Sequence, residues 1–475
     1  MVDNTCFKPI RPLFESLLAC ISEKFPDATI LVEQAFGKVY RHSKSGSTIK
    51  DNMFTSYGAV IRYCADTESS NHPETFEFSF IDFSPEYISG IPSKLEEQIR
   101  SQGLVLQNQK YKDPSAPKDT FNKSSSYCID PKSFSDETIM NRLETLHNNA
   151  LEYDSRIFDC ACIYQYLYKH QWFLSSAKDY EQHLLWSNGV IQPLANENGK
   201  TRYYYLPFSI VGGAELIEKM NADFSYACQC AIELLHSETI TPGTYDVICM
   251  PDVTGLIAHE AFGHGVEMDM FVKDRALAKD YINKPVASEI VTMHDNAGTY
   301  QECGSYFFDD EGTLSNDTII IDKGILVRGI SDLRSAKRLG TQPTGNGRRE
   351  SFKRKAYTRM TNTYFEAGND KLEDMIASIQ SGILLENASS GMEDPKNWGI
   401  QCMVNIGREI KDGKLTGRIY SPVCLSGYVP DLLSSISMIS DELHVCGTGC
   451  CGKGYKEWVK VSDGGAAIKA ICKLS

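Results

Sequence analysis

The stretch "GLIAHEAFGHGVEMDMF", Gly255 to Phe271, constrains this chain more than any other. It reads as a helix, yet it carries His259 and His264 five positions apart, with Glu260 beside the first. On a regular α-helix, residues five apart diverge by about 140°, so the two rings would face different neighbours. The related pattern H-E-x-x-H spaces its imidazoles by four, which puts both on one face where they can share a metal. One extra residue in the turn, a π-bulge, restores that relation, and such bulges concentrate at functional sites. Gly263 and Gly265 flank His264 and are expected to tolerate the distortion. The segment is therefore expected to leave α geometry and present both imidazoles to one ion. The competing reading is two ordinary histidines on a core helix.

Two imidazoles leave a catalytic zinc site one ligand short, because such sites take three protein groups plus water. Glu267, Asp269, His294 and the thiols of "HVCGTGCCGKG" are the candidates, and spacing does not choose among them. Cys450 and Cys451 lie among glycines in an expected loop, where a side chain can project into a site built by another segment. Their alternative is that of small buried residues in a tight turn. Glu260, adjacent to the first imidazole, would reach water at the ion rather than the ion itself, which is the place of a general base.

The rest of the chain supplies the setting. Residues 10–25, 92–103, 136–151 and 214–235 have helical patterns, and 28–40, 58–66 and 75–82 read as strands. The polar, proline-bearing stretch 112–126 reads as a linker or a long loop. From "IFDCACIYQYLY" to "TRYYYLPFSIV" an antiparallel meander is expected, with turns at Ser187-Asn188-Gly189 and Asn196–Gly199. "SETITPGTYD" breaks the chain, so the main boundary is placed near 240, giving regions 1–240 and 241–475. In the second region, Asp322–Gly324 and Asp412-Gly413 each join two strands, and "KLEDMIASIQSG" reads as a helix between them. The fold class is α+β: an N-terminal antiparallel sheet with flanking helices, and a mainly antiparallel C-terminal β domain carrying the histidine helix.

Composition narrows the partners. A net charge of −14 argues against nucleic acid, with "GRRESFKRK" as the one basic candidate. No run approaches the roughly 18 apolar residues of a membrane span. The sixteen cysteines are too scattered for a disulfide scaffold, and the N-terminal "RPLFESLLACISEKF" is amphipathic rather than a signal peptide. A cytosolic protein with reduced thiols is expected.

Four segments occur in order between about 240 and 475: "HEAFGHGVEMD", "FDDEGTLSNDTIIIDKGIL", "RSAKRLGTQPTGNGRRESF" with "RMTNTY", and "GCCGKG". Together they resemble the TldD/PmbA family of metallopeptidases; "YGAVIRY" resembles an early strand of the same family. The resemblance implies His259 and His264 as metal ligands, Cys451 rather than Cys450 as the third, and Glu260 as catalytic acid/base. That ligand set suits zinc, and iron accepts the same types. It also implies a peptide substrate and an oligomer, either a homodimer or a pair with a related TldD/PmbA-type subunit. Metal-free relatives of this kind make a non-catalytic partner subunit the second reading, against which the intact ligand set argues. The chain departs from the family after Lys453, where "GYKEWVKVSDGGAAIKAICKLS" replaces a Gly-Gln-rich stretch, and in Cys450, a thiol able to oxidise with Cys446 or compete for metal.

"PTGNGRRES" is expected to meet substrate, with glycines for backbone approach, Asn346 for an amide, and Arg348 and Arg349 for a carboxylate. Its alternative is a turn whose arginines pair with nearby acids. "TNTY", with Asn362, reads as a strand whose exposed edge could hold an extended peptide.

Overall fold

Side chains alternate faces along a strand, and in this chain that alternation decides what each face of the first sheet covers. In strand Thr29–Ser43, Ile30 and Val32 join a core with Phe14, Leu17 and Ile99, whereas Leu31 joins Phe173, Phe308 and Phe352. The hairpin Ile157–Ser175 and Lys178–Glu197 repeats the pattern. Tyr164 and Leu185 meet the helices Asp136–Tyr153 and Leu216–Glu233, while Leu167 and Trp186 meet Cys303 and Tyr306. The sheet thus has helices on one face and the segment around 297–312 on the other. This computed structural model describes residues 7–65, 74–103, 118–446, 449–454 and 456–475.

The strand order of that sheet is Glu74–Phe80, Ser56–Ala65, Thr29–Ser43, Ile157–Ser175, Lys178–Glu197, Asp119–Ser124. All neighbours are antiparallel except the last pair. Two sequence expectations are corrected here. Residues 119–124 of the expected linker form a strand beside 178–183, and 112–117 lie outside the described residues. Ser187-Asn188-Gly189 is not a turn but the middle of a strand, paired with Tyr164, Gln165 and Tyr166. Its small residues serve packing: a Cβ on Gly189 would stand 2.4 Å from Met220 Sδ, and Asn188 accepts from Lys460 Nζ at 2.8 Å.

Strands from 243 onward form two larger sheets and a two-stranded ribbon, Gly347–Arg348 with Tyr357–Thr358. In one, Gly243–Cys249 pairs with Ser381–Asp394 on one side and with Ile468–Leu474 on the other, closing the sheet on itself. The two expected hairpins are present. Lys323 and Gly324, and again Asp412 and Gly413, have positive φ, the backbone that a two-residue turn between right-twisted strands requires. The helix "KLEDMIASIQSG" is shorter than its pattern, Leu372–Ala377, because Ser381 already begins a strand. The other sheet runs Lys284–Pro285, Ile325–Leu326, Asp317–Asp322, Met293–Asn296, Asn362–Phe365, Ser462–Gly465, His444–Cys446. "TNTY" therefore has no free edge: its strand is interior, held by 293–295 and by 462–464.

Helix Pro251–Ala258 lies against both sheets. Gly255 permits its closest approach, since a Cβ there would meet Gly464 N at 2.4 Å.

Candidate metal centre

The helix opens on Pro251, whose missing N–H is no loss in a first turn, and buries Val253, Ile257 and Ala258. It does not continue as an α-helix. Residues His259–Gly263 form a π-turn in which the N–H of His264 donates to the carbonyl of His259, five residues back. The extra residue brings the two imidazoles to one side, perpendicular, with ring centroids 5.1 Å apart. The reason for the glycines differs from the sequence expectation. Gly263 has φ −75°, a conformation open to any residue, but a Cβ there would stand 2.1 Å from Met360 Sδ. At Gly265 a Cβ would stand 3.2 Å from Glu393 Oε1. Close approach, not backbone freedom, is what these positions require.

Cys451 enters from the far end of the chain. Its backbone exchanges two hydrogen bonds with Val459, at 2.9 and 3.0 Å, which fixes the direction of the side chain. Cys451 Sγ lies 3.2 Å from His259 Nε2 and 3.3 Å from His264 Nε2. One ligand atom from each of the three residues falls within 4.8 Å of the others. Burial alone would raise the Cys451 thiol, but the two imidazoles outweigh it and hold the group well below the usual thiol range. Burial likewise opposes charge on His264, and Cys451 and Glu267 outweigh it, so that imidazole rises well above its ordinary value. Two imidazole nitrogens and a thiolate, facing one another in a buried place, are the donor set zinc prefers. The residues present fit that ion.

A second layer of charge supports the three. Arg359, fully buried, donates from Nη2 to Cys451 Sγ at 3.1 Å and from Nε to Glu267 Oε1 at 3.2 Å. Lys453 Nζ lies 2.9 Å from Glu267 Oε2 and donates to Asp269 Oδ1 at 2.8 Å. Glu267 Oε2 in turn lies 3.6 Å from His264 Nδ1. Burial would raise the Glu267 carboxyl, but Lys453, His264 and Arg359 together hold it far below the usual range. Glu260 is buried on the same turn, its carboxylate against strand Ser381–Asp394: a Cβ on Gly391 would be 2.9 Å from Glu260 Oε1. The supporting roles of Arg359 and Lys453 are not visible in their local sequence, although both lie inside the quoted segments.

The remaining candidates stand elsewhere. Glu267 and Asp269 bind cations of the chain, and His294 is held between Asp317 and Glu366, 2.8 Å from each. Cys446 and Cys450 are free thiols, and burial pushes Cys446 well above the usual range. The four substrate candidates are buried and have partners within the chain. Asn346 donates to Asp295 Oδ1 at 2.7 Å and to the Arg359 carbonyl at 3.0 Å. Asn362 donates to the Asn296 carbonyl at 2.7 Å and to Ser305 Oγ at 2.9 Å, and accepts from Gly304 N. Arg348 donates to the Met360 carbonyl, and Arg349 pairs with Glu77 at 3.1 Å. Arg349, paired with Glu77, follows the alternative the sequence offered for the arginines, whereas Arg348 is held by a carbonyl instead.

Comparison with known proteins follows the same outline. Residues 242–466 match the model of the PmbA/TldA metallopeptidase C-terminal domain. A metalloprotease TldD homolog from Buchnera aphidicola is 36% identical over 228 residues, 48% of this chain and 47% of that protein. A zinc metalloprotease TldD homolog from Saccharolobus solfataricus is 31% identical over 239 residues, 50% of this chain and 53% of that protein. The chain thus matches about half the length of these relatives. The crystal structure of TldE from Thermococcus kodakarensis has the same fold, with a TM-score of 0.70 at 15% identity over 97% of this chain and 99% of that one.

Proposed function

Residues 242–466 match the PmbA/TldA metallopeptidase C-terminal domain, and from that premise we propose that the chain is a TldD/PmbA-type, zinc-dependent peptidase. The observation that carries the reading is the convergence of His259, His264 and Cys451 on one point, with Glu260 on the same turn. His259 Nε2, His264 Nε2 and Cys451 Sγ are the atoms that would hold the ion. Zinc bound there would supply an acidified water and polarise a carbonyl. The side chains do the rest. Glu260 takes a proton from the attacking water at its carboxylate and returns it to the departing amine. Glu267 and Arg359 fix the orientation of His264 and the charge of Cys451, as partners of metal ligands do elsewhere. His264 keeps 21% of its side chain exposed, which makes it the edge from which a peptide reaches the site.

The substrate in this reading is an unfolded or short peptide, and the working form is an oligomer, a homodimer or a pair with a related subunit. The TldE-like fold supports the second arrangement. We place the protein in the cytosol, since the cysteines of the described residues are free thiols, as in a reducing compartment. No helix among the described residues is long and apolar enough to cross a membrane. We also divide the chain near residue 240, because the strands of the first sheet end at Val211 and those of the other sheets begin at Gly243.

Glu260→Ala is expected to keep its zinc and lose peptide hydrolysis by a factor of about 10²–10⁴, the usual contribution of a general base. His259→Ala is expected to lose both. Metal analysis alongside mass spectrometry of peptide products checks this. Full activity in Glu260→Ala would refute the base, and a zinc-free wild-type protein would favour a non-catalytic subunit.

A further inference from the structure

One more carboxylate faces the centre. Glu393 lies near the end of strand Ser381–Asp394, two residues beyond Gly391 and so on the same face. Gly391 is the position that abuts Glu260. Across from it, the 3.2 Å approach of Glu393 Oε1 to a Cβ built on Gly265 puts this carboxylate beside the residue that follows His264. Both Glu393 oxygens are buried, and neither has a hydrogen-bond partner among the described residues. Burial pushes the group up to about 9, with His264 opposing the rise and Glu260 and Glu267 adding to it. A buried carboxylate left in this condition is costly unless something binds it.

We propose that Glu393 is the receptor for a primary ammonium of the substrate, and that it selects the free amino terminus of a peptide. The inference rests on the peptidase reading above. Buried and without a partner among the described residues, the group holds its proton; an ammonium brings three donors and the positive charge that lets Glu393 ionise and accept from it. The neighbouring carboxylates Glu260 and Glu267 disfavour an anionic group at the same place. An amino terminus held there lies beside Glu260, so the peptide bonds nearest that terminus are the ones within its reach. A lysine side chain carries the same ammonium and is the other source to be tested.

The test uses the full chain loaded with zinc and a lysine-free decapeptide, supplied with a free or an acetylated amino terminus. A second acetylated pair carries one internal lysine or norleucine. In the wild type, acetylation is expected to lower kcat/KM at least about tenfold, with the first products released from the amino end. In Glu393→Gln the ratio of free to acetylated peptide should fall to about one while zinc content stays the same. Glu393→Asp, shorter but still charged, should keep part of the preference. If the lysine–norleucine ratio collapses in Glu393→Gln instead, the amino-terminal assignment is overturned. Ratios identical in wild type and Glu393→Gln for both pairs overturn the receptor, with peptide cleavage itself intact. Absence of any cleavage by the zinc-loaded wild type overturns the peptidase reading, and this inference with it.

Discussion

Gly391 determines where Glu260 can stand. A methyl group at 391 would lie 2.5 Å from Glu260 Cγ and 2.9 Å from Oε1, so the acid must move to admit it. Gly391→Ala is therefore expected to bind zinc normally and lose about 10- to 100-fold in kcat, the scale on which a misplacement near 1 Å acts. Steady-state kinetics with metal analysis checks this, and unchanged kcat would show that Glu260 does not need its observed position. Arg359 acts through the thiolate. Arg359→Met removes the donor 3.1 Å from Cys451 Sγ and leaves Glu267 with one cation fewer. Zinc affinity should fall about 10- to 100-fold, read by competition against a chelating dye. At this scale the sequence was informative where chemistry is local to the motif. His259, Glu260 and His264 could be picked out because their spacing is itself a constraint. Arg359 could not, because its partners Glu267 and Cys451 lie 92 residues away on either side. Asn346 and Asn362 show the converse: an amide suits a ligand and a buried backbone equally well, and the partners that hold them here are distant in the chain.

The element that carries the site is the π-turn, and its register depends on Gly263 rather than on glycine's freedom of rotation. With Met360 Sδ 2.1 Å from the Cβ position, Gly263→Ala must displace the buried Met360 side chain. A loss of about 1–3 kcal/mol is expected, typical of overpacking. Gly263→Ala/Met360→Ala should recover most of it in urea denaturation. A single variant as stable as the wild type would contradict the close packing. The bulge itself was legible, since five-residue spacing admits few other solutions. The strand at Ser187-Asn188-Gly189 was not. Its residues form the composition of a turn, and only the helix packed over Gly189 and the lysine paired with Asn188 explain them. "TNTY" was correctly read as a strand, but whether a strand is interior depends on its neighbours, here Met293–Asn296 and Ser462–Gly465.

At the scale of the molecule, the site depends on segments far apart in the chain. The ligands come from a turn at 259–264 and from Cys451, and the sheets between them hold the two within reach. The first sheet contributes at one remove. Trp186 donates to the Cys303 carbonyl at 3.0 Å, Gln182 to the Phe308 carbonyl at 2.9 Å, and Arg349 pairs with Glu77, so the 303–308 segment and the loop that bears Asn346 and Arg348 are both anchored on N-terminal strands. Such long-range closure has no sequence signature beyond the order of the segments, which is why the internal partners of Asn346, Arg348, Arg349 and Asn362 could not be read from it. The most direct test of the account is X-ray absorption at the zinc edge on the purified wild-type chain, with the metal counted per chain. One zinc with a sulfur at about 2.3 Å and imidazole nitrogens at about 2.0–2.1 Å is the predicted result, the sulfur vanishing in Cys451→Ser. A shell without sulfur in the wild type, or a chain that takes up no zinc, would contradict it.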